Sequence, residues 1–482
     1  MDKIDPRLPH PLHQVATTRQ LEATLADGLP PHTLMQRAGL ATARLALGLA
    51  PHASTFWLAC GPGNNGGDGL EAAMHLQQWG KTALVSWLGT PQDAPADARA
   101  SYARAQAAGV RFLDAPPAAC DCCIDALLGI GVTRPAEGRL AEWIAHINTL
   151  NVPVLAVDLP SGLNADTGAS DGPRVRATHT LSLLTLKPGL FIGHGRDAAG
   201  EVWFESLGAE TAATPPAQAT LSGAPLLHAR PHASHKGSYG DVAIIGGAPG
   251  MTGAALLAAC AALHQGAGRV FVGLLDGGSL GVDANHPELM FRPLESLDPA
   301  QMTVVCGCGG GSAVAAQLPR LLSAASLAVI DADALNSIAN DSQLQQLLRA
   351  RHARGRQTVL TPHPLEAARL LGSTTAEVQH DRLATAQQLA QRFYCTVVLK
   401  GSGTVIAAPD ITPVINPTGN ALLATAGTGD VLAGMIGARL ANGGSAFQAA
   451  CESVWLHGRA ADTWPHDRAL TAGALAQALC VN

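Results

Sequence analysis

NALLATAGTGDVLAGMIGARLA, residues 420–441, places Gly427, Gly429 and Asp430 directly before a run of Val, Leu, Met and Ile at helical spacing. Backbone amides at such a helix start make an anion hole. An acid beside them repels the phosphate they attract, unless the two serve different partners. Asp430 can draw the proton from a hydroxyl that attacks a phosphoryl group, while the amides stabilise charge on the phosphoryl oxygens. The plainer alternative is that Asp430 merely caps the helix.

Outward from this stretch, apolar β-type runs alternate with helical patterns. In the C-terminal half they are KGSYGDVAIIGG (236–247), RVFVGLL (269–275), MTVVCG (302–307), LAVIDAD (327–333), QTVLTPH (357–363), CTVVLKG (395–401) and GTVIAA (403–408). In the N-terminal half they are FWLAC (56–60), TALVSWL (82–88), CCIDALL (122–128), VPVLAVDL (152–159) and HTLSLLTL (179–186). That rhythm predicts an α/β class with two doubly wound domains, whose ligands bind at the carboxyl ends of strands. The small, polar, Pro-containing stretch between them reads as a linker. The expected division is 1–211, a linker at 212–229, and 230–482.

Composition agrees with that class. The 482 residues are 47% hydrophobic and 14% charged, enough for large cores. The net charge of −6 gives no basic footprint for nucleic acid. The first twenty residues hold no apolar run, and apolar runs elsewhere fall short of a bilayer span, so neither a signal peptide nor a membrane segment is expected. An intracellular, cytoplasmic protein follows. Ten cysteines suit that setting. Cys120, Cys122 and Cys123, like Cys306 and Cys308, lack a second half at zinc spacing and read as buried, unpaired residues.

The strand ends carry the chemistry. After FWLAC, Gly61, Gly63 and Gly66 match GxGxxG, yet the next strand lacks the acid that would hold a ribose hydroxyl. The turn instead offers Asn64, Asn65 and Asp68. CCIDALLGIGVTRP ends a strand at Asp125, and VPVLAVDLPSG ends another at Asp158, followed by Ser161. Any one of these could cap a helix, but three polar ends in one sheet point to a shared site. Asn65, Asp125 and Ser161 supply hard oxygen ligands with one formal charge, which suits a weakly held monovalent cation. Asp158 is then free to act as acid or base.

LMQRAG (34–39), GNNGGDG (63–69), DALLGIG (125–131) and DLPSG (158–162), in this order, resemble the NAD(P)H-hydrate epimerase domain. The resemblance implies a Rossmann-like three-layer sandwich over most of residues 10–210. It implies K+ on Asn65, Asp125 and Ser161. It implies substrate contacts from Asn64, Asn65, Gly66, Gly67 and Asp68, and from Gly129, Ile130, Gly131, Val132, Thr133, Arg134 and Pro135. Asp158 would relay a proton as C6 of a hydrated nicotinamide inverts.

GxGD after a Gly-rich stretch is similar to the ribokinase-like superfamily. HKGSYGDVAIIGGAPGMTGAALLAA (235–259), NHPELM (285–290), IDADALN (330–336), LTPHPLEAARLL (360–371) and LKGSGTVI (399–406) narrow it. With 416–436 they resemble the ADP-dependent NAD(P)H-hydrate dehydratase. That resemblance implies ADP as co-substrate, Mg2+, and a nucleotide site of Lys400, Gly401, Ser402, Gly403, Thr404 and Gly429. Ala254, Gly309, His363 and Asp430 would line the hydrate site. Asp331 and Asp333 could meet magnesium-bound phosphate or cap the helix that follows them. Cys308, Leu365, Ala421 and Ala426 depart from the family pattern without removing a reacting group.

The reading is thus a bifunctional repair enzyme acting on NAD(P)H hydrates with ADP, as a homo-oligomer, with no nucleic-acid or membrane partner. A vitamin or sugar kinase with a non-catalytic N-terminal ligand-binding domain is the alternative that GTGD and DAD alone permit.

Overall fold

The computed structural model describes residues 1–131, 134–209, 215–226 and 229–479. The chain forms two compact units, one of Met1–Asp5 with His10–Ala219, the other of Pro6–Pro9 with the chain from Thr220 onward. Among the described residues, no helix is long and apolar enough to cross a membrane.

In the first unit, alternation along Thr55–Cys60 decides the layering. Phe56, Leu58 and Cys60 enter one core and Trp57 and Ala59 the opposite one. A strand buried on both faces belongs in the middle of a parallel sheet covered by helices on each side. Spatially the parallel strands run Glu201–Glu205, His179–Leu183, Val154–Val157, Cys122–Ala126, Thr55–Cys60, Thr82–Trp87 and Arg111–Leu113. Asp2–Lys3 adds an antiparallel edge. The chain builds outward from Thr55–Cys60 in one direction, then restarts at its other side with Cys122–Ala126. That restart is a topological switch point, where adjacent loops part and leave a crevice.

The second unit repeats the plan. From Met290–Phe291 the parallel strands run through Arg269–Leu274, Asp241–Gly246, Thr303–Cys306, Leu327–Ile330 and Gln357–Leu360 to Thr396–Leu399. Its switch point lies between Asp241–Gly246 and Thr303–Cys306. Beyond Thr396–Leu399 the winding stops. Val405–Ala408 and Ile411–Ile415 pair antiparallel, and Thr220 and Leu221 extend the sheet alongside Val414 and Ile415. Strand Val405–Ala408 of GTVIAA is therefore half of a hairpin, because only Lys400–Thr404 separate it from the preceding strand, too few for a crossover helix.

Helix Thr428–Ala441 is almost wholly buried. It packs on helix Thr252–His264, and a Cβ at Gly434 would collide with the Ala258 carbonyl. Gly434→Ala sets helix propensity, worth about 1 kcal/mol in favour of Ala, against backbone contact that cannot yield. Overpacking is expected to win and to lower stability by about 1–3 kcal/mol. An unchanged urea midpoint would show that the helices do not approach so closely.

Candidate active sites

A cavity of about 660 Å³ opens at the carboxyl end of the first sheet, in the size range of small-molecule sites. Asn64, Asn65, Asp68, Gly129, Ile130, Gly131 and Asp158 line it. Asn64–Asp68 are not a turn. They begin the helix Asn64–Gln78, which Gly63 initiates in extended conformation, so Asn64, Asn65 and Asp68 face the cavity from one end of a helix. Gly66 and Gly67 are buried packing positions, set against the Gly61 carbonyl and the Met35 thioether. Arg134 and Pro135 are not among the cavity's lining residues, and Pro135 packs on Gly172. Val132 and Thr133 lie outside the described residues.

Asp158 has φ 68°, a left-handed conformation that costs a non-glycine residue free energy and recurs at functional positions. Its Oδ1 accepts from the Leu183 amide at 3.1 Å and from the ammonium of Lys187. Lys187 is fully buried and also donates to the Leu183 carbonyl at 2.6 Å. The sequence reading missed Lys187, although a single lysine inside the apolar run LSLLTLKPGLF is a visible signal. Arg19 and Glu22 also line the cavity and were missed. Burial, then the charge of Asp158, holds the Asp68 carboxyl well above the usual range.

Behind the cavity Asp125 is fully buried at its strand end. Its Oδ1 accepts from Ser161 Oγ at 2.6 Å and from the Leu127 amide, and its Oδ2 from the Ser161 amide at 2.8 Å. Burial raises this carboxyl to about 6 against the pull of those bonds. Ser161 Oγ accepts from the Leu128 amide, and the next residue, Gly129, adjoins the Asn65 carboxamide. The Asn65 Nδ2 is buried with no hydrogen-bond partner. Asn65, Asp125 and Ser161 thus converge on one loop crossing.

In the second unit, helix Thr428–Ala441 begins from Gly427, which at φ 91° takes a backbone few side chains tolerate. Gly427 is the N-cap and no side chain bonds the cap, so Asp430 is not spent on that role. Gly429 and Asp430 stand in the first turn, where helix geometry leaves amides without intrahelical acceptors. The Thr428 amide is directed back to the Thr425 carbonyl at 3.4 Å.

The Asp430 carboxylate, the Asp331 carboxylate and Cys308 Sγ lie within 4.8 Å of one another. Burial, then Asp331, raises the Asp430 carboxyl to about 6. Asp331, almost fully buried, accepts on Oδ1 from Lys400 Nζ and Thr361 Oγ1, each at 2.7 Å. Lys400 Nζ would lie 3.4 Å from a Cβ at Gly429, so the lysine adjoins the helix start. Asp333 accepts the Gly311 amide at 2.8 Å. Gly309, at φ 56°, abuts Ala254.

His363 has a structural bond set. Its Nδ1 accepts from the Leu365 and Glu366 amides and caps helix Pro364–Leu371, while Glu366 accepts the His363 amide at 2.8 Å. Burial, then Lys400, lowers its pKa. Arg382, missed from sequence, is buried and donates to the Leu399 and Lys400 carbonyls, fixing the strand end that leads into Gly401–Thr404. Thr404 Oγ1 closes that hairpin turn on the Gly401 carbonyl at 3.1 Å. Leu365, Ala421 and Ala426 are exposed, whereas Cys308 is buried against the acids.

Residues 242–481 match the family model described as NAD(P)H-hydrate dehydratase, and residues 31–189 match that of the YjeF-related protein N-terminus. The bifunctional NAD(P)H-hydrate repair enzyme of Escherichia coli (strain K12) is 38% identical over 486 residues, spanning 96% of this chain and 91% of that one. The ADP-dependent (S)-NAD(P)H-hydrate dehydratase of Neisseria meningitidis serogroup B is 45% identical over 259 residues, or 52% of this chain and 86% of that one. A solved ADP/ATP-dependent NAD(P)H-hydrate dehydratase from Bacillus subtilis, co-crystallised with ATP and Mg2+, is 31% identical with a TM-score of 0.45, covering 53% of this chain and 92% of that one.

Proposed function

The chain belongs to the family of bifunctional NAD(P)H-hydrate repair enzymes, and we propose that its two units interconvert the epimers of NAD(P)H hydrate and return the S form to NAD(P)H with ADP. In this reading residues 1–211 are the epimerase domain, 212–229 a linker and 230–482 the dehydratase domain.

In the second unit ADP phosphorylates the C6 hydroxyl. Asp430 takes the hydroxyl proton, and the Gly429 amide and Lys400 ammonium stabilise the phosphoryl oxygens. AMP is released. Phosphate, a far better leaving group than hydroxide, then departs C6 as a proton leaves C5, restoring the double bond. Lys400, Gly401, Ser402, Gly403, Thr404 and Gly429 hold the nucleotide, and Ala254, Gly309 and His363 border the hydrate. Magnesium suits the residues present, because it takes most ligands from phosphate and water and needs few carboxylates. Asp331 and Asp333 are the ones on hand, and the ion would neutralise phosphate charge. One observation carries the reading: a carboxylate with no capping duty at the helix start, close to a lysine that adjoins Gly429 while it donates to Asp331.

In the first unit Asp158 moves the proton as the C6 substituent leaves and returns, with Lys187 fixing its carboxylate. Asn64, Asn65 and Asp68 with Gly129–Gly131 border the ring, and Gly66, Gly67 and 132–135 complete the same segments. The donor set of Asn65, Asp125 and Ser161 fits potassium. The Asn65 carboxamide, whose Nδ2 has no hydrogen-bond partner, can turn its oxygen to a cation, and Asp125 and Ser161 add two more oxygens. The cation would supply positive charge beside the Gly129 loop. The same reading sets a homo-oligomer in the cytoplasm, where unpaired thiols stay reduced.

The test is recovery of reduced-nicotinamide absorbance from mixed hydrate epimers. With ADP, recovery should be complete, with AMP and phosphate formed in equal amount; without it, none should occur. A lasting phosphorylated product would instead favour a small-molecule kinase.

A further inference from the structure

We propose that Cys260, His264 and His286 form a binding site for a divalent transition-metal ion of the zinc class, separate from both active sites. Cys260 and His264 lie one turn apart on helix Thr252–His264, so their side chains share a face. His286 reaches that face from the segment between strands Arg269–Leu274 and Met290–Phe291. The three donor atoms lie within 4.8 Å of one another. Cys260 Sγ and His286 Nε2 are 3.3 Å apart. Two ligands of a tetrahedral zinc, at bond lengths near 2.3 and 2.0 Å, stand about 3.5 Å apart, so this pair is already spaced for one ion.

The orientation of His286 supports the assignment. Its Nδ1 faces Asp283 Oδ2 at 3.4 Å, which leaves Nε2 as the lone-pair nitrogen aimed at the thiol. A carboxylate behind a histidine is the arrangement that orients metal-ligating imidazoles. His264 meets His286 edge to face, with ring centroids 6.0 Å apart. Cys260 is buried, while both histidines are partly exposed, so an ion can enter from solvent and keep water as a fourth ligand. One thiolate and two imidazoles select zinc, cobalt or copper over magnesium. Binding releases the thiol proton to solvent. The ion would clip the 276–289 segment to the helix whose first turn carries Ala254.

The test uses the full chain after chelator treatment, titrated with Co2+ and then Zn2+. One equivalent of Co2+ should produce visible ligand-field absorption with a near-ultraviolet thiolate charge-transfer band, and Zn2+ should displace it. Cys260→Ser should abolish the charge-transfer band. His264→Ala and His286→Ala should each weaken binding at least tenfold, and Asp283→Asn by about 10–100-fold. Circular dichroism identifies any variant that fails to fold, and Cys260→Ser is nearly isosteric. Absence of the band at saturating Co2+ overturns the proposal. So does a band that survives Cys260→Ser but disappears in Cys308→Ala, which would move the thiolate ligand to the Asp331–Asp430 cluster.

Discussion

Asp430→Asn is expected to lower ADP-dependent dehydration of the S hydrate by about 10²–10⁴-fold, the usual contribution of a positioned general base. That is roughly 3–5 kcal/mol of barrier. Asparagine keeps the size and hydrogen-bonding capacity of the side chain at the helix start, so the loss falls on proton transfer. Asp331 is a neighbouring carboxylate, but Lys400 and Thr361 both donate to its Oδ1, and it cannot turn to the substrate without releasing the Lys400 ammonium. The pH dependence follows from the same group. With the Asp430 carboxyl raised to about 6, the base form dominates above that value. The wild-type rate should therefore fall tenfold per unit as pH drops below about 6. The residual rate of the Asn variant should lose that limb. Epimerisation in the same preparation should be unchanged. A variant that dehydrates at the wild-type rate removes Asp430 from the chemistry.

The central strands of both sheets were legible because each is a short apolar run with a polar or glycine-rich end, as a parallel sheet needs, whereas strands such as Asp2–Lys3, Arg111–Leu113 and Glu201–Glu205 carry too few apolar residues to stand out. Asp125, Asp158 and Ser161 stand out because they end or follow apolar strands, and Asp430 because it follows a glycine-rich stretch at a helix start. The hairpin turn at Lys400–Thr404 was not legible, since a short gap after a strand resembles any other turn until the direction of the next strand is known. Asn64–Asp68 were misread as a turn because glycine and asparagine disfavour helices in isolation; burial of the remainder of Asn64–Gln78 overrides that preference. Lys187 and Arg382 escaped because a buried cation is recognised by its partners, and those lie 29 and 17 residues away in the chain. Cys260, His264 and His286 escaped for a similar reason: two ligands one helical turn apart carry little signal without a third that only folding supplies.

Asp158→Asn is expected to abolish epimerisation while ADP-dependent dehydration of the S epimer continues at its wild-type rate. The difficulty is Lys187, fully buried with Asp158 as its one carboxylate partner among the described ion pairs. Removing one member of a buried pair costs about 3–5 kcal/mol, because the other charge is left unmatched. Lost epimerisation in the single variant could then reflect a disordered cavity rather than a missing proton carrier. Asp158→Asn combined with Lys187→Met separates the two. Removing both charges relieves the unmatched ammonium, and the thermal midpoint of the double variant should recover most of what the single variant lost. Its epimerisation should remain absent, because no group at that strand end can then move a proton. In a stopped mixture of R and S hydrates with ADP, the double variant should convert the S fraction and leave the R fraction behind. Recovery of epimerisation together with stability would mean that the pair only holds the Leu183–Lys187 turn in place, and another cavity group, with Asp68 the first candidate, would have to carry the proton.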